Sequence, residues 1–341
     1  MGRRCALGYA IGALVLASTS PAAQAASQCK LIRVADWPVR STQGVAIVDA
    51  AINGQPIGVM LDTGSDTLIL RSATDRLGLT RQQARGYRAF GIGGESHVEA
   101  TLVEEFRIGQ LARKDWRVMV AGERSAGSID LILGEDFFGQ LDVEFDLPHN
   151  AVRLFQPKDC EDTVLAYWAT QGASQVEIAP YYGTGNRIIV PVELNGRPLE
   201  AVLDSGAYAS VLDESVAAQL GIKPDTPGVS FAGKGGGLGG KSVEFWIGPL
   251  RSFTIGNETI SDTAIRFGDL WKDAKDVPIA SHLPQKIGNT PALLLGADFL
   301  RAHRVLVAHS QRKLYFTYEG GPVFQPAMAA PAASQATPSP R

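Results

Sequence analysis

The chain has 341 residues and a formal net charge of −3. With no basic excess, binding to nucleic acid or an anionic membrane surface has no electrostatic basis. The length accommodates two domains of modest size, each with its own core.

The N-terminus reads Arg3-Arg4, then the apolar run Leu7 to Ala17, then Ala23-Gln24-Ala25. This is the pattern of a signal peptide, residues 1–25, because the run is too short to span a bilayer comfortably. An uncleaved anchor is the alternative. No cysteine closes the run, which argues against a lipoprotein. Cys5 goes with the signal, and Cys29 and Cys160 then face an oxidising compartment as one disulfide or as two separate thiols.

The body of the chain is written twice. Ile52-Asn53-Gly54 leads through an apolar strand to Leu61-Asp62-Thr63-Gly64, and Leu194-Asn195-Gly196 leads in the same way to Leu203-Asp204-Ser205-Gly206. Asn-Gly between alternating apolar runs signals a hairpin. After each Asp-(Thr/Ser)-Gly comes a short apolar run and then a helix, with Ser72 or Asp213 placed as N-cap and Leu77-Gly78 or Leu220-Gly221 as the stop. Each copy continues into a glycine-rich stretch suited to a mobile hairpin tip: Gly91, Ile92, Gly93 and Gly94 in one, Gly235, Gly236, Gly237 and Leu238 in the other. Each closes on an apolar pair, a glycine and an acid-aromatic pair, Ile132-Leu133-Gly134-Glu135-Asp136-Phe137 and Leu294-Leu295-Gly296-Ala297-Asp298-Phe299. Asp136 and Asp298 sit at helix starts, where a carboxylate interacts favourably with free amides. The extra length of the second copy falls mainly between Asp262 and Pro291, as a loop with room for a short helix. The copies occupy residues 26–157 and 186–318. The connection, 158–185, carries the apolar stretch Val164 to Trp168 and is expected to pack against a domain. Residues 319–341, rich in Pro and Ala, are expected to be disordered.

One Asp-Ser-Gly is an ordinary turn. Two, on identical apolar strands with identical downstream elements, point to a duplicated domain packed about a pseudo-two-fold axis, to which each copy brings one carboxylate. Carboxylates that close cannot both ionise. The pair keeps one proton, so one member serves as general base and the other as general acid. The five histidines show no metal-ligand spacing, and there is no Gly-x-Ser-x-Gly elbow. No metal and no cofactor are expected.

Residues 44–157 and 186–318 resemble the retropepsin and pepsin group of aspartic peptidases, as a fused double copy of retropepsin-like domains. The resemblance implies an all-β fold of two pseudo-symmetric β-barrel lobes with a central cleft and a few short helices. It also implies catalytic carboxylates at Asp62 and Asp204, supporting turns at Thr63, Gly64, Ser65, Ser205 and Gly206, and flaps at the two glycine-rich stretches. Leu133-Gly134 and Leu295-Gly296 would cross beneath the turns. The implied activity is endopeptidase action on extended polypeptide, with both halves of the site in one chain so that a monomer suffices; the signal pattern places it in the periplasm or outside the cell. A non-catalytic peptide-binding or scaffolding protein with the same fold is the alternative, and an envelope protein attached through its tail is a third. The turns differ, Asp-Thr-Gly-Ser against Asp-Ser-Gly-Ala. A Ser65 hydroxyl donating to Asp62 would keep that residue charged and leave the shared proton more often on Asp204.

Overall fold

The structure, a computed structural model, describes residues 29–42, 44–85, 87–122, 127–181, 185–272 and 290–324. The expected signal segment lies outside them, as do most of the long loop of the second copy and the chain beyond Phe324.

Strands dominate and build two closed six-stranded barrels of identical topology. In the first, Val45–Ile52, Gln55–Leu61, Leu131–Leu133, Leu68–Leu70, Leu111–Ala121 and Glu99–Ile108 follow one another, and the last pairs back on the first. In the second the ring is Ile189–Leu194, Arg197–Leu203, Leu293–Leu295, Val211–Asp213, Glu258–Gly268 and Val243–Ile255, closed in the same way. The Asn-Gly hairpins form as expected, with Asn53 and Asn195 at φ 49° and 54° and Gly54 and Gly196 both at 77°. Each Asn side chain also accepts from a neighbouring strand: Asn53 from the Glu105 amide, Asn195 from those of Arg251 and Ser252. The turn is thereby locked to the barrel wall.

The last strands of each repeat leave their barrels and join a third sheet shared by both halves. Its order is Lys30–Pro38, Ala151–Lys158, Asp142–Asp146, His303–Ala308, Lys313–Tyr318 and Ser174–Glu177. The seam between repeats is the antiparallel pairing of Val143, Glu144 and Phe145 with Val307, Leu306 and Val305. The connection is tied to this sheet. Leu165 and Ala166 pack with Phe155, Leu306 and Tyr315, and Ser174–Glu177 supplies the edge strand. A disulfide joins Cys29 to Cys160, 131 residues apart, and fixes the first strand of the sheet to the start of the connection.

Three sequence expectations need correction. The helix Arg71–Leu77 takes Leu70 as N-cap with no side-chain cap, and Ser72 lies inside it, because the strand Leu68–Leu70 runs into the helix without an intervening turn. Asp213 does cap its helix, accepting from the Ser215 amide. The strand Glu258–Gly268 continues past Asp262, so the insertion of the second copy begins later than its composition implied. The tail does not start at residue 319: Val323 and Phe324 are buried, Phe324 edge-on against Phe253, because these two apolar side chains join the core that Phe253 belongs to. Among the described residues no helix is long and apolar enough to cross a membrane.

Candidate active site

The strands Gln55–Leu61 and Arg197–Leu203 run parallel to Leu131–Leu133 and Leu293–Leu295, with Leu61 opposite Leu133 and Leu203 opposite Leu295. At their ends the Asp62 amide donates to the Leu133 carbonyl at 3.0 Å and the Asp204 amide to Leu295 at 2.9 Å. The closing element of each repeat thus crosses beneath the turn and sets the height of its carboxyl.

The next residue of each turn reaches across the axis. The Thr63 hydroxyl donates to the Leu203 carbonyl at 2.6 Å, and the Ser205 hydroxyl donates to Leu61 at 2.8 Å. The Thr63 and Ser205 amides each donate to the other residue's hydroxyl oxygen at 3.0 Å. Four buried hydrogen bonds leave the turns one mutual position. Gly64 and Gly206 complete it: a β-carbon on Gly64 would stand 2.5 Å from the Asp204 carboxyl carbon, and one on Gly206 2.2 Å from that of Asp62. Each glycine is the floor on which the opposite carboxyl rests.

The two carboxyls lie close enough for each to bear on the other's proton affinity. Burial, then the charge of Asp204, pushes Asp62 well above the ordinary carboxylate range against one amide, that of Gly64. Burial raises Asp204 too, but the Asp62 carboxyl and the amides of Ala207 and Gly206 oppose it. These contacts favour the proton on Asp62, where the sequence expectation favoured Asp204. The reason is local: the Ser65 hydroxyl donates to the Asp66 carbonyl at 3.1 Å, not to Asp62, whereas Asp204 gains a second amide from Ala207.

Asp136 and Asp298 brace the floor through partners the sequence did not indicate. Asp136 accepts from the Thr67 amide and hydroxyl, and Thr67 in turn accepts from the Gly134 amide. Asp298, Ser210 and Gly296 repeat the arrangement. The repeated hydroxyl at Thr67 and Ser210 was the available signal.

Above the carboxyls the glycine-rich hairpins meet tip to tip. The Ile92 carbonyl accepts from the Gly237 and Gly239 amides at 3.0 and 3.2 Å, and the Gly93 carbonyl accepts from Lys241 at 3.1 Å. Beneath them lies a cavity of about 530 Å³, within the range of small-molecule and side-chain pockets. Asp62, Asp204, Gly64, Ser65 and Gly206 line it, roofed by Gly91, Ile92, Gly236, Gly237 and Leu238. Gly93 and Gly94 turn the first tip, and Gly235 ends its strand against Phe245. Val45, Met60, Leu70, Ile129 and Ile132 give one apolar wall, and Tyr208 of the second turn completes it. Trp246 and Trp271 pack away from this cavity, Trp246 between Phe231 and Phe267 and Trp271 with its N–H on the Pro291 carbonyl.

One family's sequence model, described as Aspartyl protease, matches residues 48–137 and again 190–299, more than half of the chain. The chain belongs to the aspartyl protease family. The two matches fall on the two barrels and end within the Asp-Phe pairs that close each repeat. No curated protein matches the chain.

Proposed function

We propose that the protein is an endopeptidase that hydrolyses extended polypeptide segments on the Asp62/Asp204 pair. The observation that carries this reading is the reciprocal placement of the turns, each glycine packed against the other repeat's carboxyl, so that two buried acids meet on the axis. A stable protein does not crowd two carboxyls on its axis without a use for them, since each raises the cost of ionising the other.

In the reaction, Asp204 is the general base and Asp62 the general acid. Water held between them attacks the scissile carbonyl carbon, giving one proton to Asp204 while Asp62 passes its own to the carbonyl oxygen. The resulting diol collapses as Asp204 protonates the departing amine and Asp62 recovers a proton from a diol hydroxyl. No covalent intermediate forms. The flap edges and the cleft floor offer backbone groups to an extended chain, which binds as an added strand, so unstructured segments are the substrates. One chain supplies both carboxyls, and a monomer suffices. Export to the periplasm or beyond follows from the N-terminal signal pattern and agrees with the Cys29–Cys160 disulfide.

The test is incubation with one polypeptide in native and in unfolded form from pH 4 to 7. Cleavage of the unfolded form alone, absent in Asp62→Asn and in Asp204→Asn, is the expected result. Persistent cleavage by either variant would remove the pair from the reaction.

A further inference from the structure

Apart from the turns themselves, the pseudo-two-fold symmetry is broken at two pairs of equivalent positions that face each other near the carboxyls. Ile47 stands opposite Met60 and Ile189 opposite Val202, each two residues before an aspartate, so Val45 and Arg187 hold matching places. Glu135 and Ala297 match as well, each following the glycine of a closing element, and each backbone amide binds a turn: Glu135 the Ser65 carbonyl at 2.8 Å, Ala297 that of Ala207 at 2.7 Å. On one side of the axis Val45 packs on Ala297 in a small apolar cluster with Ile47. On the other, Arg187 faces Glu135, Nε to Oε2 at 4.0 Å.

In this second pair Glu135 is buried, Arg187 keeps 32% of its side-chain surface exposed, and both are incompletely satisfied. Glu135 is 5% exposed, and neither its Oε2 nor the Arg187 Nε has a hydrogen-bond partner. The Asn186 amide donates to the Glu135 carboxylate, and Asp66 from the first turn and Asp136 from the same helix add negative charge around it. Arg187 also lies over the Tyr181 ring. Ion pairs of this kind are poor stabilisers compared with an apolar pair, and the protein has built that apolar pair on the opposite side.

We propose that Arg187 and Glu135 are positioning residues that make the two carboxyls unequal, the cation favouring the charged form of Asp204 and the anion holding the proton on Asp62. Burial is the largest influence on both carboxyls, and the smaller contributions of the pair agree in direction: the Arg187 charge lowers Asp204 while the Glu135 charge raises Asp62. Burial above all pushes Glu135 itself up to about 7, so its influence on Asp62 grows as neutrality is approached. The pair thereby extends the singly protonated state of the dyad towards neutral pH, and it does so on the peptidase reading given above.

The test compares wild type with Glu135→Ala/Arg187→Val, which copies the Ala297/Val45 contact and so preserves packing, and with Arg187→Lys, which keeps the charge. In the double variant the acidic limb of the pH–rate profile moves up and the alkaline limb moves down, narrowing the bell by roughly half a unit or more on each side, while Arg187→Lys leaves both limbs in place. A lowered kcat with both limbs unmoved would reduce the pair to a structural role and overturn the proposal. Carboxyl-¹³C aspartate NMR titration gives the same decision without activity. The spacing between the two titration steps of the dyad shrinks in the double variant or the proposal fails, whether or not the wild type cleaves peptides. If the double variant does not fold, Glu135→Gln/Arg187→Gln takes the same two readouts.

Discussion

On the proposed peptidase reading, Asp62 is costly to the fold and useful for chemistry for the same reason. Its folded-state proton affinity lies well above the ordinary carboxylate value of 3.8, through burial and then the charge of Asp204. The sign follows directly. The native state binds this proton more tightly than the unfolded state, so the associated stability is present at low pH and is lost as pH rises through the folded-state pKa. Glu135 acts in the same direction between about 4.5 and about 7. Asp62→Asn, which cannot ionise, should therefore melt at a higher temperature than wild type at pH 7 and at nearly the same temperature at pH 4. Paired thermal melts would show this, and a gap that does not widen with pH would mean that the pair is more solvated than its burial indicates. At this scale the sequence picked out the two carboxyls that meet on the axis but not which of them the local contacts favour for the proton. That depends on where the hydroxyl of Ser65 points and on whether the Ala207 amide reaches Asp204, and neither has a local sequence signature.

Among the elements, the hairpins and turns were legible because their chemistry is local. Asn53-Gly54 and Asn195-Gly196 need positive φ, and the residues announce it. Glu135 and Arg187 were not singled out, although aligning the repeats sets Glu135 against Ala297. Their significance needs the knowledge that residue 187 of one repeat faces residue 135 of the other. The flaps belong to this scale as well. Gly93 has φ 89°, and a β-carbon there would stand 2.4 Å from the Lys241 carbonyl, so no larger residue keeps the tip-to-tip contact. Gly93→Val should lower kcat/KM by about tenfold or more with little change in melting temperature, since Gly93 turns a two-stranded hairpin that is not part of either barrel ring. Steady-state kinetics on an unfolded substrate would measure it, and an unchanged kcat/KM would show that flap closure is not needed.

In the whole molecule, the feature hardest to foresee was the shared sheet. Pairing of Val143–Phe145 with Val305–Val307 joins segments about 160 residues apart, and an alternating strand does not say which distant strand it will meet. The sheet explains why the two barrels keep one relation to each other and hence why the carboxyls meet. Glu144 sits at the seam, fully buried, with Arg153 and Arg304 on its carboxylate. The disulfide closes a loop of 131 residues around this arrangement; by the chain-entropy relation such a closure is worth up to about 5 kcal/mol. Reduction should lower the urea midpoint markedly and lower activity only where unfolding begins. An unshifted midpoint would mean that the shared sheet alone fixes the N-terminus.

If Asp62 and Asp204 form one proton-sharing unit, removing either is as damaging as removing both. The deciding measurement is therefore kcat/KM on an unfolded polypeptide for Asp62→Asn, Asp204→Asn and the double variant. Equal losses of roughly a thousandfold or more in all three are expected, with no further loss on combining them. Losses that multiply, or a single variant that keeps substantial activity, would mean that the two carboxyls act apart and that the dyad is not the site of the reaction.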